Sequence, residues 1–155
     1  MPFGANCMIA QKSADILLVE DNAKDAELAL TALQERNISQ NVLHVMDGGE
    51  ALDFISYAGN FADWGEGNVP KVILLDLELK AMSGLDVLRQ LKSEERTRAI
   101  PIVMFTSSQR EIELVESYRL GVNSYVIKPT GYKEFAQVVA DIGHYWVNIN
   151  RPSVF

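Results

Sequence analysis

The chain has little that would tie it to a membrane, a nucleic acid or an oxidising compartment. Its 155 residues include one cysteine, Cys7, so no disulfide can form within it. That suits a reducing compartment and leads us to expect a cytoplasmic protein. No apolar stretch nears the roughly 20 residues of a membrane helix. Met1 to Ser13 lacks the basic-then-apolar order of a signal peptide. Lys and Arg number 14 against 21 Asp and Glu, a formal net charge of -7, and there is no long basic run. A nucleic-acid surface is therefore not expected. The turn after the first apolar run reads Glu20-Asp21-Asn22-Ala23 and lacks the glycines of a dinucleotide or flavin loop. His44 and His144 have no ligand-like spacing to each other or to the acids, which argues against a zinc-type site.

What is present is an ordinary globular mix, 48% hydrophobic and 23% charged, long enough for one domain with a real core. Short apolar runs without polar alternation mark strands covered on both faces: Ile16 to Val19, Lys71 to Asp76, a run opened by Pro101, and Ser124 to Ile127. Asn41 to Met46 is a further strand. Helical spacing of apolar residues predicts helices over Ala23 to Arg36, Glu50 to Tyr57, Leu85 to Glu95, Gln109 to Arg119 and Tyr132 to Val147. Asp47-Gly48-Gly49 reads as a turn, and Thr106-Ser107-Ser108 as the cap of the fourth helix. Ala58 to Pro70 reads as a long loop, with Phe61 exposed and Trp64 packed locally. The domain is expected over 14–147, between tails at 1–13 and 148–155. After Lys128 there is chain for one helix and a tail, so no output domain is expected on it.

Five strand–helix repeats imply a parallel sheet with helices on both faces and right-handed crossovers. Ligands in such sheets bind beyond the carboxyl ends of the strands. Four strand ends here carry reactive groups: Glu20-Asp21, Asp76, Thr106 and Lys128. Carboxylates brought close together repel one another and need a cation. Magnesium suits them, because it takes oxygen ligands and keeps waters that a phosphate can replace. A carboxylate nucleophile, a metal, a hydroxyl and an ammonium together describe a phosphoryl site.

Those residues carry a resemblance. Leu17-Leu18-Val19-Glu20-Asp21-Asn22, Ile73-Leu74-Leu75-Asp76-Leu77 with Gly84, Val103-Met104-Phe105-Thr106-Ser107 and Tyr125-Val126-Ile127-Lys128-Pro129 resemble the receiver domain of two-component response regulators over residues 15 to 147. More narrowly, the long loop before the third strand, Thr106-Ser107-Ser108 and the tryptophan-bearing last helix resemble stand-alone receivers that serve phytochrome-type sensor histidine kinases. The resemblance implies a flavodoxin-like, doubly wound (βα)5 three-layer sandwich with strand order 2-1-3-4-5. It implies a phosphoacceptor signalling protein that can catalyse its own phosphorylation from small donors and its own dephosphorylation. Asp76 would be the phosphoacceptor, with Mg2+ held by Asp21, Glu20, Asp76 and the carbonyl of Glu78. Thr106 would hydrogen-bond the phosphoryl group, Lys128 would pair with it, and Tyr125 would be the switch aromatic. The Lys128–Pro129 bond would be cis.

The implied partners are a sensor histidine kinase and a second copy of the chain. The second copy would dock on the face of the fourth helix, fifth strand and fifth helix, with Glu111, Tyr118, Tyr125, Phe135 and Val139 nearby; Phe135 and Val139 are equally readable as core. Lys80 stands where the family usually has a proline, and Glu78 and Ser108 sit two positions after Asp76 and Thr106. Two other readings stay open. An aspartyl-phosphate-forming phosphatase would want an aspartate at position 78 and a cap domain. A docking protein of the same fold would ignore phosphodonors.

Overall fold

The computed structural model describes residues 14–38, 41–62 and 69–153. The expectations for the 1–13 tail with its Cys7 and for Trp64 fall outside them. Five strands form one parallel sheet: β1 (Ile16–Val19), β2 (Val42–Val45), β3 (Val72–Leu75), β4 (Ile102–Thr106) and β5 (Ser124–Ile127). Their order is β2-β1-β3-β4-β5. Every residue of β1, β3 and β4 is buried, which is why these strands show no polar alternation. The outer strands are less covered, and Ile127 of β5 is exposed.

Five α-helices link the strands: α1 (Ala23–Glu35), α2 (Gly48–Ser56), α3 (Gly84–Ser93), α4 (Glu111–Arg119) and α5 (Tyr132–Gly143). Successive strand residues point to opposite layers. Leu17 and Val19 pack with Phe54 of α2 and Leu88 of α3. Ile16 and Leu18 pack with Ala29 of α1 and Val139 of α5. The result is the flavodoxin-like, doubly wound (βα)5 sandwich expected. Burying each large aliphatic side chain in these layers contributes about 1.5–3 kcal/mol. No helix among the described residues is long and apolar enough to cross a membrane.

The departures from expectation are local. Asp47-Gly48-Gly49 is the start of α2 rather than a turn. Asp47 Oδ1 accepts from the Glu50 amide at 2.8 Å, and Glu50 Oε1 accepts from the Met46 amide at 3.0 Å, so the helix opens two residues early. Thr106-Ser107-Ser108 does not supply the cap residue of α4. That position is Arg110, which makes no side-chain cap, because Thr106 still belongs to β4. Phe61 is buried in a short 3-10 turn, its ring 5.4 Å from that of Phe54 and nearly perpendicular to it. Phe135 and Val139 are core, with the Phe135 ring 5.2 Å from that of Phe105. Helical structure continues past α5 as a π-helical stretch, His144–Ile149, where Val147 is buried and Trp146 packs on the core. Asn148 and Ile149, expected in the tail, thus belong to this helical stretch.

Candidate functional site

The sheet register builds the site. Val19 pairs with Leu75, so Glu20-Asp21 leaves β1 beside Asp76 leaving β3. Thr106 pairs with Ile127, which sets Lys128 next along the same edge. Carboxylate oxygens of Glu20, Asp21 and Asp76 all lie within 4.8 Å of one another. Glu20 and Asp76 are buried, only 3% and 6% exposed, and Asp21 is half-buried.

Lys128 answers part of that negative charge. Its ammonium sits 2.8 Å from Glu20 Oε1, 2.8 Å from Asp25 Oδ2 and 3.1 Å from Asp76 Oδ2. Three N–H donors thus find three carboxylates. Burial by itself would pull the Lys128 pKa down. Hydrogen bonds to Asp25 and Glu20 and the charge of Asp76 outweigh it, so the group is held above its usual range. For Glu20, burial is the largest effect and pushes the carboxyl up to about 7. Asp76 adds to the rise, while Lys128 and the Asn22 amide oppose it. The second Glu20 oxygen accepts from the Asn22 amide at 3.1 Å. Asp76 Oδ1 accepts from the Glu78 amide at 3.1 Å, so both of its oxygens are held.

Asp25 was not among the residues singled out from the sequence. It lies in the first turn of α1, where Asn22 Oδ1 caps its amide at 3.0 Å. Glu78 is brought to the site by its backbone; its side chain is exposed and is not in the acidic cluster. His44 Nε2 lies 2.7 Å from the backbone oxygen of Glu20. The Lys128–Pro129 bond is not cis, since no cis peptide occurs among the described residues. Trans is the favoured X–Pro isomer by about 0.5–1 kcal/mol, and three ion pairs aim Lys128.

Thr106 and Tyr125 meet through Ser108. The Ser108 amide donates to Thr106 Oγ1 at 3.2 Å, and Tyr125 Oη donates to the Ser108 carbonyl at 3.1 Å. The Ser108 hydroxyl donates to Glu113 of α4 and accepts from the Arg110 amide. Burial raises the Tyr125 pKa, which keeps its hydroxyl a donor. Gly84 shapes the loop after Asp76. Its amide donates to Leu77 O at 2.9 Å, and a Cβ there would stand 2.3 Å from the Asp76 carbonyl oxygen. An open cavity of about 310 Å³ reaches Lys128 from solvent, lined by Asp25, Ser107, Gln109, Lys128 and Tyr132 among others.

The donor set fits a hard divalent cation. Glu20, Asp21 and Asp76 offer oxygen atoms and no sulfur or nitrogen. One ammonium cannot neutralise these three and Asp25 together. The cluster is suited to coordinate a divalent metal ion.

Comparison with known proteins agrees with this geometry. Residues 16–140 match the family model of the response regulator receiver domain. The fold is similar to that of the phosphorylated cyanobacterial phytochrome response regulator RcpA (34% identity, 92% of this chain and 99% of the other, TM-score 0.80). It is similar to the Mn2+-bound form of the response regulator Rcp1 (31% identity, 90% and 98%, TM-score 0.82). The bacteriophytochrome response regulator RtBRR is 48% identical, with 92% of this chain and 85% of the other covered and a TM-score of 0.72.

Proposed function

This chain belongs to the response regulator receiver family, and on that premise we propose that Asp76 accepts a phosphoryl group from a sensor histidine kinase in a Mg2+-dependent reaction. The observation that carries the reading is the setting of Asp76: a buried carboxylate at a strand end, with an ammonium on one oxygen, a backbone N–H on the other, and two further acids beside it. A receiver is a phosphoacceptor signalling protein rather than an enzyme acting on a free substrate.

The residues divide the work. An Asp76 oxygen attacks the phosphorus of a phosphohistidine. The phosphorus–nitrogen bond breaks, and the leaving imidazole nitrogen takes a proton from solvent. Glu20, Asp21 and Asp76 would hold Mg2+, and the Glu78 carbonyl would complete the site. Bound there, the ion supplies positive charge against the phosphoryl oxygens. Thr106 donates its hydroxyl to the phosphoryl group, and Lys128 pairs with it. Because Thr106 and Tyr125 share Ser108, a turn of Thr106 toward Asp76 pulls on the residue that holds the Tyr125 hydroxyl. Phosphorylation then favours one of two arrangements of the α4–β5–α5 face.

The likeness to RcpA and RtBRR supports a phytochrome-type kinase as the donor. The face expected to receive a second copy exposes Ile112, Val115, Tyr118 and Ile127, an apolar group on α4 and β5. Phe135 and Val139, being core, take no part in it.

The test is intact mass after incubation with Mg2+ and acetyl phosphate. The protein gains one phosphoryl group, and Asp76→Asn gains none. Equal labelling of that variant would sink the assignment. Catalytic turnover of a phosphate ester would favour the phosphatase. No labelling at all would favour the docking protein.

A further inference from the structure

Asp25 is the carboxylate at this edge that the family reading leaves without a role. It stands apart from the acids that surround the candidate metal position, yet it holds the Lys128 ammonium as closely as Glu20 does. Its side chain is about one-quarter exposed and lines the cavity that leads from solvent to Lys128. Resting on the phosphoacceptor reading above, we propose that Asp25 is a specificity-determining positioning residue. By restraining Lys128 at the mouth of this cavity, it weakens the site for small anionic phosphodonors.

Two physical effects act in the same direction. An ammonium has three N–H donors, and all three are engaged here, so an incoming phosphoryl oxygen must displace a carboxylate to reach Lys128. Glu20 and Asp76 have alternative positive charge once a divalent cation is bound, whereas Asp25 lies outside that cluster and keeps its hold on the lysine. Asp25 also adds a negative charge on the path by which a small anion enters. A protein donor docked over a wider surface draws binding free energy from contacts elsewhere and overcomes the same restraint. A free acyl phosphate has no such contacts. The device thus favours phosphorylation by a partner over phosphorylation by metabolites.

The reaction that reads this out is transfer from acetyl phosphate. An Asp76 oxygen bonds to phosphorus, the phosphorus–oxygen bond to acetate breaks, and acetate leaves with that electron pair. The initial rate is measured against acetyl phosphate concentration at saturating Mg2+. Asp25→Asn lowers the half-saturating donor concentration roughly fivefold, the effect of losing one partly exposed charge partner, with the maximal rate unchanged. Asp25→Glu keeps the carboxylate and stays near the original value. Glu27→Gln removes an exposed charge from the same helix but outside this cavity, and leaves the value unchanged.

A metal-free readout accompanies it: the Lys128 ammonium resonance in nitrogen-edited NMR shifts in Asp25→Asn and not in Glu27→Gln. An unchanged or higher half-saturating concentration in Asp25→Asn overturns the proposal. So does an equal effect of Glu27→Gln, or an unmoved Lys128 resonance. A chain that takes no label before any substitution overturns the phosphoacceptor reading, and this proposal with it.

Discussion

At the scale of single residues, Lys128 and Glu20 oppose each other in free energy. The Lys128 ammonium sits against Glu20 and Asp76 and offsets their negative charge in a place where burial disfavours charge. Removing one partner of such a group leaves the other charges uncompensated, at a cost of about 3 kcal/mol or more. Lys128→Met is therefore expected to lose about that much stability in urea melts with chelator present. Added Mg2+ should restore more stability to the variant than to the parent. Glu20 makes the opposite contribution. Its folded pKa, about 7, lies above the ordinary value of 4.5. Between those values the folded state holds more protons than the unfolded one, so stability falls as pH rises. The effect is at most about 3 kcal/mol. In the absence of metal, the melting temperature of the parent should drop across pH 5 to 7 (about the interval between the two pKa values) relative to that of Glu20→Gln. Parallel curves would contradict it. Asp76, Thr106 and Lys128 were legible in the sequence because each closes or follows a short apolar run. Asp25 was not, because an acid in a first helical turn looks like ordinary helix-terminus charge, and its partner lies 103 residues away.

At the scale of elements, the strands were legible and several helix ends were not. A run such as Val72-Ile73-Leu74-Leu75 has no other comfortable place than a covered sheet. Helix starts depend on which side chain wins a backbone amide. At α2 the Asp47 and Glu50 carboxylates extend the helix backwards through two glycines. At α4 the Ser108 hydroxyl is drawn to Glu113, and Thr106 remains in the sheet. The expected cis bond at Pro129 is also absent, and the lysine is held by its ion pairs. The loop between β3 and α3 depends on Gly84, which lets the chain pass against the Asp76 carbonyl. Gly84→Ala should displace that loop, lower stability by about 1–3 kcal/mol, and slow labelling from acetyl phosphate. Denaturant titration and the labelling rate check it; a variant matching the parent in both would show that the contact is relieved without moving Asp76.

At the scale of the whole molecule, the sheet separates two surfaces. Its carboxyl edge carries the acids, Lys128 and the cavity, while α4 and β5 carry an apolar face. Ser108 connects them through one amide, one carbonyl and one hydroxyl. If that face receives a second copy after phosphorylation, Ile112→Asp should keep the label and lose the association, as read by sedimentation of labelled protein. Ile112 is largely exposed, so the substitution does not reach the core. Association that survives it would place the interface elsewhere. The fold order and the reacting edge were legible together, because parallel strands bring their carboxyl ends to one side. The apolar face was legible only in part. Phe135 and Val139 share the helical spacing of a surface stripe, yet they point into the α1–α5 layer.

In the proposed reaction Asp76 itself, and no neighbouring carboxylate, carries the phosphoryl group. Borohydride reduces an aspartyl phosphate to homoserine, which marks the acceptor permanently. After incubation with Mg2+ and acetyl phosphate, reduction and peptide mass analysis should find homoserine at position 76 and at no other aspartate. The mark should be absent when Mg2+ is chelated beforehand. Homoserine at Asp21 or Asp25, or none in a labelled protein, would show that Asp76 is not the acceptor.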